Sequence, residues 1–224
     1  MIVIDGASRD NTVAIAREYK SDFIRVISEP DQGMYDGLNK GLKLYSGDAF
    51  GVLNADDAYH HVDVLTQVAE GLQRAPIVQG HLDFVADHDA KSIVRHWQGE
   101  QRPANGFKSG WMPAHPTFYV RREVADAVGE FDLALDCAAD YDWMLRAIDV
   151  FGFEVTLLDS VLVDMKMGGK STKDMLAQIR HNLEALSVRQ RWLDAGMIDY
   201  ALLAKPLRKI GQFISPAKRK VNGR

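Results

Sequence analysis

Apolar residues along the first eighty positions come in short runs that alternate with helically spaced sets. Ile2-Val3-Ile4 is a run of the kind a buried strand needs, and the turn cluster Asp5-Gly6-Ala7-Ser8 closes it. Residues 12–19 carry a helical pattern, with Asp10 or Asn11 placed to cap it. Residues 23–28 predict a second strand, ending in the loop Glu29-Pro30-Asp31-Gln32-Gly33. Met34, Leu38, Leu42 and Leu44 keep helical spacing up to Gly47. Residues 49–53 predict the next strand, followed by Asn54-Ala55-Asp56-Asp57. Residues 62–72 are helical again, with Val62, Leu65, Val68, Ala69 and Leu72 on one face. Such alternation implies parallel strands joined by crossover helices.

Past residue 80 the pattern changes. Residues 77–85 and 92–97 predict strands around an Asp87-His88-Asp89 turn, and residues 98–114, broken by Gly99, Pro103, Gly106, Gly110 and Pro113, predict a loop. Residues 117–121 predict a strand, 140–151 a helix, and 154–158 and 161–165 two strands. From Ser171 the chain is mostly helical to about residue 212. The expectation is one α/β domain over residues 1–170 and a C-terminal helical extension over 171–224.

Composition excludes more than it selects. With 224 residues, 46% of them hydrophobic and 26% charged, the chain is long and apolar enough to bury a full core, and neither disordered nor collagen-like. Its one cysteine, Cys137, excludes an intrachain disulfide framework and a cysteine-rich zinc site. No apolar stretch approaches the ~18 residues of a membrane helix, and Met1-Ile2-Val3-Ile4-Asp5 lacks the features of a signal peptide. The net charge of −4 conceals a basic tail of Lys205, Arg208, Lys209, Lys218, Arg219, Lys220 and Arg224, with no acidic residue from 205 onward. The acidic remainder is a poor general nucleic-acid binder. The tail suits an anionic membrane surface or plain solvation, and Ile210, Phe213 and Ile214 give it apolar anchors at helical spacing.

In an open α/β sheet, ligands bind beyond the carboxyl ends of the strands. Asp5 and the pair Asp56-Asp57 fall at such ends. Paired hard oxygens there suit Mg2+ or Mn2+ and a phosphate-bearing substrate. The competing reading is that Asp56 or Asp57 caps the helix at Val62. His60 and His61 point to opposite sides of an extended segment, so they read as solvated loop histidines rather than a shared metal site. A third acidic set is Asp136, Asp140 and Asp142. Asp140 opens a helix whose apolar residues are Trp143, Met144, Ala147, Ile148 and Phe151, and is a cap or a general base on a rigid element.

The segment from Val3-Ile4-Asp5-Gly6 to Asn11-Thr12 resembles the nucleotide-binding turn of family 2 glycosyltransferases with the GT-A fold. The block Ser28-Glu29-Pro30-Asp31-Gln32-Gly33-Met34-Tyr35-Asp36-Gly37-Leu38-Asn39-Lys40-Gly41 is similar to the next block of that family, closest to the colanic-acid and exopolysaccharide branch. Leu53-Asn54-Ala55-Asp56-Asp57 resembles its metal-binding DxD motif. His115-Pro116-Thr117-Phe118 with Arg121-Arg122 resembles its acceptor-side block. Ala139-Asp140-Tyr141-Asp142-Trp143 with Arg146 resembles its catalytic-base motif. Gly168-Gly169-Lys170-Ser171-Thr172 resembles a block after the last strand. Each motif alone is weak, but six in order from residue 2 to about 175 are specific.

The resemblance implies an α/β fold, a GT-A-like mixed sheet flanked by helices. It implies an inverting, metal-dependent transfer of sugar from a nucleotide sugar, most often a UDP-sugar, to a saccharide or lipid-linked acceptor in cell-surface polysaccharide synthesis. Asp5 would contact the nucleobase, Asn54 the ribose or the metal's water shell, and Asp56 the Mn2+ or Mg2+ ion. Asp140 would be the base, and Trp111 and His115 would shape the acceptor site. The family's setting is the cytoplasmic face of the membrane.

Three departures qualify these expectations. The first Asp of the DxD motif is Asn54, and the acidic residue that usually precedes the base is Ala139. The family also begins with a strand and helix of roughly thirty residues that find no counterpart before Ile2. The expectation is an N-terminally truncated sheet, with bare edges on residues 2–4 and 49–53 that invite self-association. An inactive remnant acting as a binding module is the alternative to an enzyme. A metal-dependent phosphohydrolase is a third reading, disfavoured by motif order.

Overall fold

The computed structural model describes residues 1–19, 22–86, 92–167 and 175–194. Its elements in chain order are β1 (Ile2–Asp5), α1 (Thr12–Glu18), β2 (Arg25–Ser28), α2 (Met34–Leu44), β3 (Ala49–Phe50), β4 (Asp57–Tyr59) and α3 (Val64–Arg74). They continue with β5 (Ile77–Val85), β6 (Ile93–Trp97), β7 (Tyr119–Arg121), α4 (Arg122–Val128), α5 (Ala139–Leu145), β8 (Val155–Lys166) and α6 (Met175–Leu193). Short 3-10 turns cover Gly106–Ser109 and His115–Thr117, and a π-helical turn over Arg146–Val150 continues α5.

The β1 and β2 strands form a parallel pair. The other six make a mixed sheet in the order β3-β7-β5-β8-β4, with β6 paired to the far part of β5. Among the described residues only β5 and β8 run parallel within it. Among the described residues no ladder joins the two sheets, so β1 and β3 each have one edge without a strand partner.

Strand alternation sorts the core onto the two faces of the larger sheet. Ile77 lies opposite Val120 and Val78 opposite Tyr119. Ile77 and Val120 face a core built with α2, α4, α5 and α6, and Val78 and Tyr119 face a smaller one under α3. The chain after β3 passes so close to Tyr119 that a Cβ on Gly51 would sit 2.1 Å from its ring. Ala185, Val188 and Leu193 bring α6 into the larger core.

Several expected boundaries shift. Val62, expected on an apolar helix face, is 96% exposed, because α3 starts two residues later at Val64, after its N-cap Asp63, and buries Val64, Val68 and Leu72 instead. On α2 the inward seam is Tyr35, Leu38, Asn39 and Leu42, while Met34 and Leu44 face solvent. The expected strand at 49–53 is reduced to two residues, and the strands at 154–158 and 161–165 are one continuous β8, bent by register shifts against β5. The turn at 87–89, the block 168–172 and the basic tail lie outside the described residues. Among the described residues no helix is long and apolar enough to cross a membrane.

Candidate functional site

Asp5 is the last residue of β1 and is buried. Its carboxylate accepts hydrogen bonds from the Ser28 hydroxyl at 2.6 Å, from the Ser8 backbone N–H at 3.0 Å and from the Ser8 hydroxyl. Those bonds, Ser28's foremost, hold its carboxyl below the usual carboxylate range. They also tie the ends of β1 and β2 to the turn between β1 and α1. Over that turn lies Asp31, whose Oδ2 would stand 2.5 Å from a Cβ on Gly6. The glycine leaves the Asp31 carboxylate room to lie against the turn. Asp31 also lies within 3.6 Å of where a Cβ on Gly37 would be, so the first turns of α2 touch this carboxylate corner.

One residue into α2, Tyr35 reaches the other way. Its hydroxyl donates to Asp140 Oδ1 at 3.2 Å, across 105 positions of sequence. Burial, reinforced by the Asp140 charge, pushes the phenol far above the usual tyrosine range, so it keeps its proton and stays a donor. Asp140 is the second residue of α5, half-buried, and its Oδ1 also accepts the Tyr141 backbone N–H at 2.8 Å. Its Oδ2 stands 3.9 Å from His115 Nδ1. Phe131 lies between the rings, stacked on Tyr35 at 6.1 Å and edge-on to His115 at 6.4 Å. Side chains from two other elements, α2 and the His115–Thr117 turn, therefore converge on the carboxylate that α5 carries.

The His115 side chain is 13% exposed. Burial pushes its imidazole below the ordinary histidine value, and Asp140 offsets this only in part. A histidine held neutral in this way takes up its proton more readily in the unfolded chain. Its contribution to stability is therefore intact above the unfolded value of about 6.5 and falls as pH drops below it. The urea midpoint of the wild type should fall further between about pH 7.5 and about pH 5.5 than that of His115→Gln. Equal falls would mean that His115 is protonated in the folded chain at no cost.

The other acidic residues of that stretch do different work. Asp142 is 1% exposed and receives Arg146 Nε at 2.7 Å and Trp192 Nε1 at 2.8 Å. Arg146 also donates to the carbonyls of Val128 and Glu130. Asp136 is exposed and pairs with Arg180 at 3.3 Å. Only Asp140 of the three has a carboxylate set among the polar side chains Tyr35 and His115.

After β3 the chain makes a turn in which Asn54 Nδ2 donates to Asp57 Oδ2 at 2.8 Å and the Asp57 backbone N–H donates to the Asn54 carbonyl. Asp56 is exposed at the tip of this turn. Neither Asp56 nor Asp57 caps α3. Asp57 begins β4, which pairs with β8 and separates the turn from the helix, whose N-cap is Asp63. An exposed carboxylate with a neutral amide nearby offers hard oxygen donors of the kind Mg2+ and Mn2+ prefer.

Trp111 is 2% exposed, packs edge-on against Phe107 and donates its indole N–H to the Glu100 carbonyl at 3.1 Å. It supports the loop before His115 from beneath. His60 and His61, expected as solvated, are both half-buried and engaged with β8 and the residues at its bend. His60 Nδ1 lies 2.6 Å from Asp164 Oδ1 and His61 Nε2 lies 3.3 Å from Ser160 Oγ. The pairing of β4 with β8 carries them over the sheet, which the local sequence does not reveal. Their rings stand at 83° to each other.

The model of the family described as glycosyl transferase family 2 matches residues 1–129. An uncharacterized glycosyltransferase of Mycobacterium tuberculosis is 31% identical over 156 residues, which cover 65% of this chain and 56% of that protein. A PGL/p-HBAD biosynthesis glycosyltransferase of Mycobacterium bovis is 24% identical over 159 residues, covering 65% and 57%. The chain thus spans little more than half the length of these curated relatives. S. aureus TarS 1–349 in complex with UDP-GlcNAc superposes with a TM-score of 0.66 at 16% identity, over 95% of this chain and 63% of that one. A mannosyltransferase from Pyrobaculum calidifontis, in complex with GDP-Man and Mn2+, gives 0.59 at 16% identity, over 91% and 59%. At such identities the likeness speaks for the fold, a GT-A-like mixed sheet flanked by helices.

Proposed function

The chain belongs to glycosyl transferase family 2, and on that footing we propose that it serves transfer of a sugar from a nucleotide-sugar donor to a saccharide or lipid-linked acceptor, with inversion at the anomeric carbon. The observation that carries the reading is the convergence of Tyr35 and His115 on the Asp140 carboxylate. A sugar hydroxyl is a weak nucleophile, and a fixed carboxylate that takes its proton during attack contributes roughly 10²–10⁴ in rate. Tyr35, held protonated, orients that carboxylate, and His115, held neutral, adds no competing charge. A single displacement of this kind needs no covalent intermediate, and no serine or cysteine nucleophile is required. His115 belongs to the acceptor side, with Trp111 bracing its loop.

On the donor side, Asp5 serves the nucleobase, and Asn54 with Asp56 the ribose and diphosphate. Asp56 would hold Mn2+ or Mg2+, which when bound offsets the charge that develops on the diphosphate leaving group. Relatives of the fold bind UDP-GlcNAc and GDP-Man, and a UDP-sugar is the first donor to try. The colanic-acid and exopolysaccharide branch, and work at the inner face of a membrane with residues 205–224 against anionic lipid, complete the reading. The free edges of β1 and β3 are places where further strands can pair, between chains or within a longer one.

Titration of a UDP-sugar in the presence of Mn2+ tests the donor half. Asp56→Ala should weaken Mn2+-dependent binding by roughly 10–100-fold, as loss of a charged contact of about 1.5–3 kcal/mol requires, and His61→Ala should leave it unchanged. Equal losses in both variants would remove Asp56 from the site.

A further inference from the structure

On one face of the larger sheet the cross-strand register builds a row of metal-binding side chains outside the site described above. Asp164 on β8 lies directly opposite Asp83 on β5. Asp83 in turn lies opposite His96 on β6, and Asp164 lies opposite Ala58 on β4. Residues directly opposite one another share a face. Ala58 leaves room at the end of the row, and His60, two residues further on, turns into it. Side-chain oxygens of Asp83 and Asp164 and a ring nitrogen of His60 all lie within 4.8 Å of one another.

Asp83 is 1% exposed and Asp164 7%, and two carboxylates set side by side away from water repel each other. His96 Nδ1 stands 2.5 Å from Asp83 Oδ1, and His60 Nδ1 stands 2.6 Å from Asp164 Oδ1, so each carboxylate already faces an imidazole. His81, two residues before Asp83, sets its ring 5.7 Å from that of His96. It occupies its own nitrogens with Asp159 and with the Gly99 N–H. It therefore packs behind His96 rather than entering the row. The donor set is two carboxylates, one on β5 and one on β8, and one imidazole from the residue that follows β4, with a second imidazole on β6 adjoining. Mixed nitrogen and oxygen donors favour a transition-metal dication over Mg2+ or Ca2+.

We infer that Asp83, Asp164 and His60, with His96 beside them, bind a divalent transition-metal ion that staples β4, β5 and β8 together. The site shares no residue with the Asn54–Asp56 turn, and the ion it holds is separate from any that accompanies a nucleotide. Its role is structural: three strands distant in sequence are cross-linked at one point. It stands whether or not the chain binds a nucleotide sugar.

The probe is Zn2+, with Mg2+ as the hard-cation control and no nucleotide present. The full chain, dialysed against Zn2+, should retain it stoichiometrically. Its thermal midpoint should rise by about 5–10 °C when Zn2+ is about a hundredfold above its dissociation constant. Mg2+ at the same concentration should produce no such rise. His60→Ala, which changes a half-exposed residue and leaves the buried pair in place, should weaken Zn2+ binding at least about tenfold. Asp83→Asn should abolish it, with circular dichroism to establish that the variant is folded. Asp56→Ala should bind Zn2+ as the wild type does. Failure of the wild type to retain Zn2+, or equal retention by His60→Ala, would overturn the proposal and leave the row as two imidazole–carboxylate pairs. Loss of Zn2+ in Asp56→Ala with retention in His60→Ala would overturn it as well, by placing the ion at the turn.

Discussion

Replacing Asp140 by asparagine should lower turnover by roughly 10²–10⁴-fold and leave the affinity for the nucleotide-sugar donor within about twofold. The substitution preserves size, and its amide oxygen can still accept from the Tyr35 hydroxyl and the Tyr141 N–H that now hold Asp140 Oδ1. What disappears is the basic oxygen on the other side, Oδ2, which faces His115. A residue that only holds the Tyr141 amide of the first turn would survive this exchange, because an amide oxygen accepts that bond as a carboxylate oxygen does. The variant therefore separates the two roles that Asp140 could have. Steady-state kinetics with a donor sugar, together with a direct binding titration, reads the result. Turnover near that of the wild type would remove Asp140 as the base, and a parallel loss of donor affinity would relocate it to donor binding.

Replacing Arg146 by methionine should destabilise the fold by about 3–5 kcal/mol, the cost of leaving a buried charge without its partner. Asp142 and Arg146 face each other one helical turn apart where α5 runs into the π-helical turn. Arg146 also donates to the carbonyls of Val128 and Glu130, so the variant leaves those acceptors short as well. The Trp192 indole remains on Asp142 Oδ1 and is the one compensation in view. For a chain of this length the change amounts to a fall of about 6–20 °C in thermal midpoint. Replacing both residues, Asp142→Asn with Arg146→Met, should recover part of the loss, since an amide costs less to bury than an unpaired carboxylate. A single-variant loss below about 1 kcal/mol would mean that Trp192 alone satisfies Asp142.

These two carboxylates, two residues apart, show where the sequence is legible and where it is not. Both stand in a motif that resembles a catalytic block, and chain order alone cannot say which one faces solvent. Helical periodicity cannot either: residues two apart lie on different sides of a helix, but α5 is buried on nearly every side, and it is the Arg146 guanidinium and the Trp192 indole that receive Asp142 inward. Strands with their own apolar signal, such as β5 and β8, are where the pattern places them. Strand β4 was not legible, since Asp57-Ala58-Tyr59 has little strand character and owes its conformation to β8, about a hundred positions away. For the same reason His60 reads as a loop residue until Asp164, 104 positions on, is brought beside it. Tyr35 sits inside a recognisable block, yet its bond to Asp140 belongs to the tertiary structure. Along-chain periodicity reports which side of a one-sided element faces inward, and says nothing of which inward groups meet.

The last described helix bears on the base in a way that concerns anyone who shortens or recombines this chain. Glu184 of α6 accepts the backbone N–H groups of Asp136, Cys137 and Ala138, the three amides that lead into α5. Arg189, five residues further along α6, is fully buried and donates to the Tyr141 hydroxyl at 2.9 Å. Helix α6 thus grips the segment carrying Asp140 on both sides of that residue. A chimera cut at residue 170, with the C-terminal helix taken from a relative, would inherit the motif and lose its fixture unless a carboxylate and a guanidinium arrive at the same two places. Amide hydrogen exchange at residues 136–138 would follow the docking of α6 from the far side of the contact, and would register a poorly matched helix before any assay of transfer could.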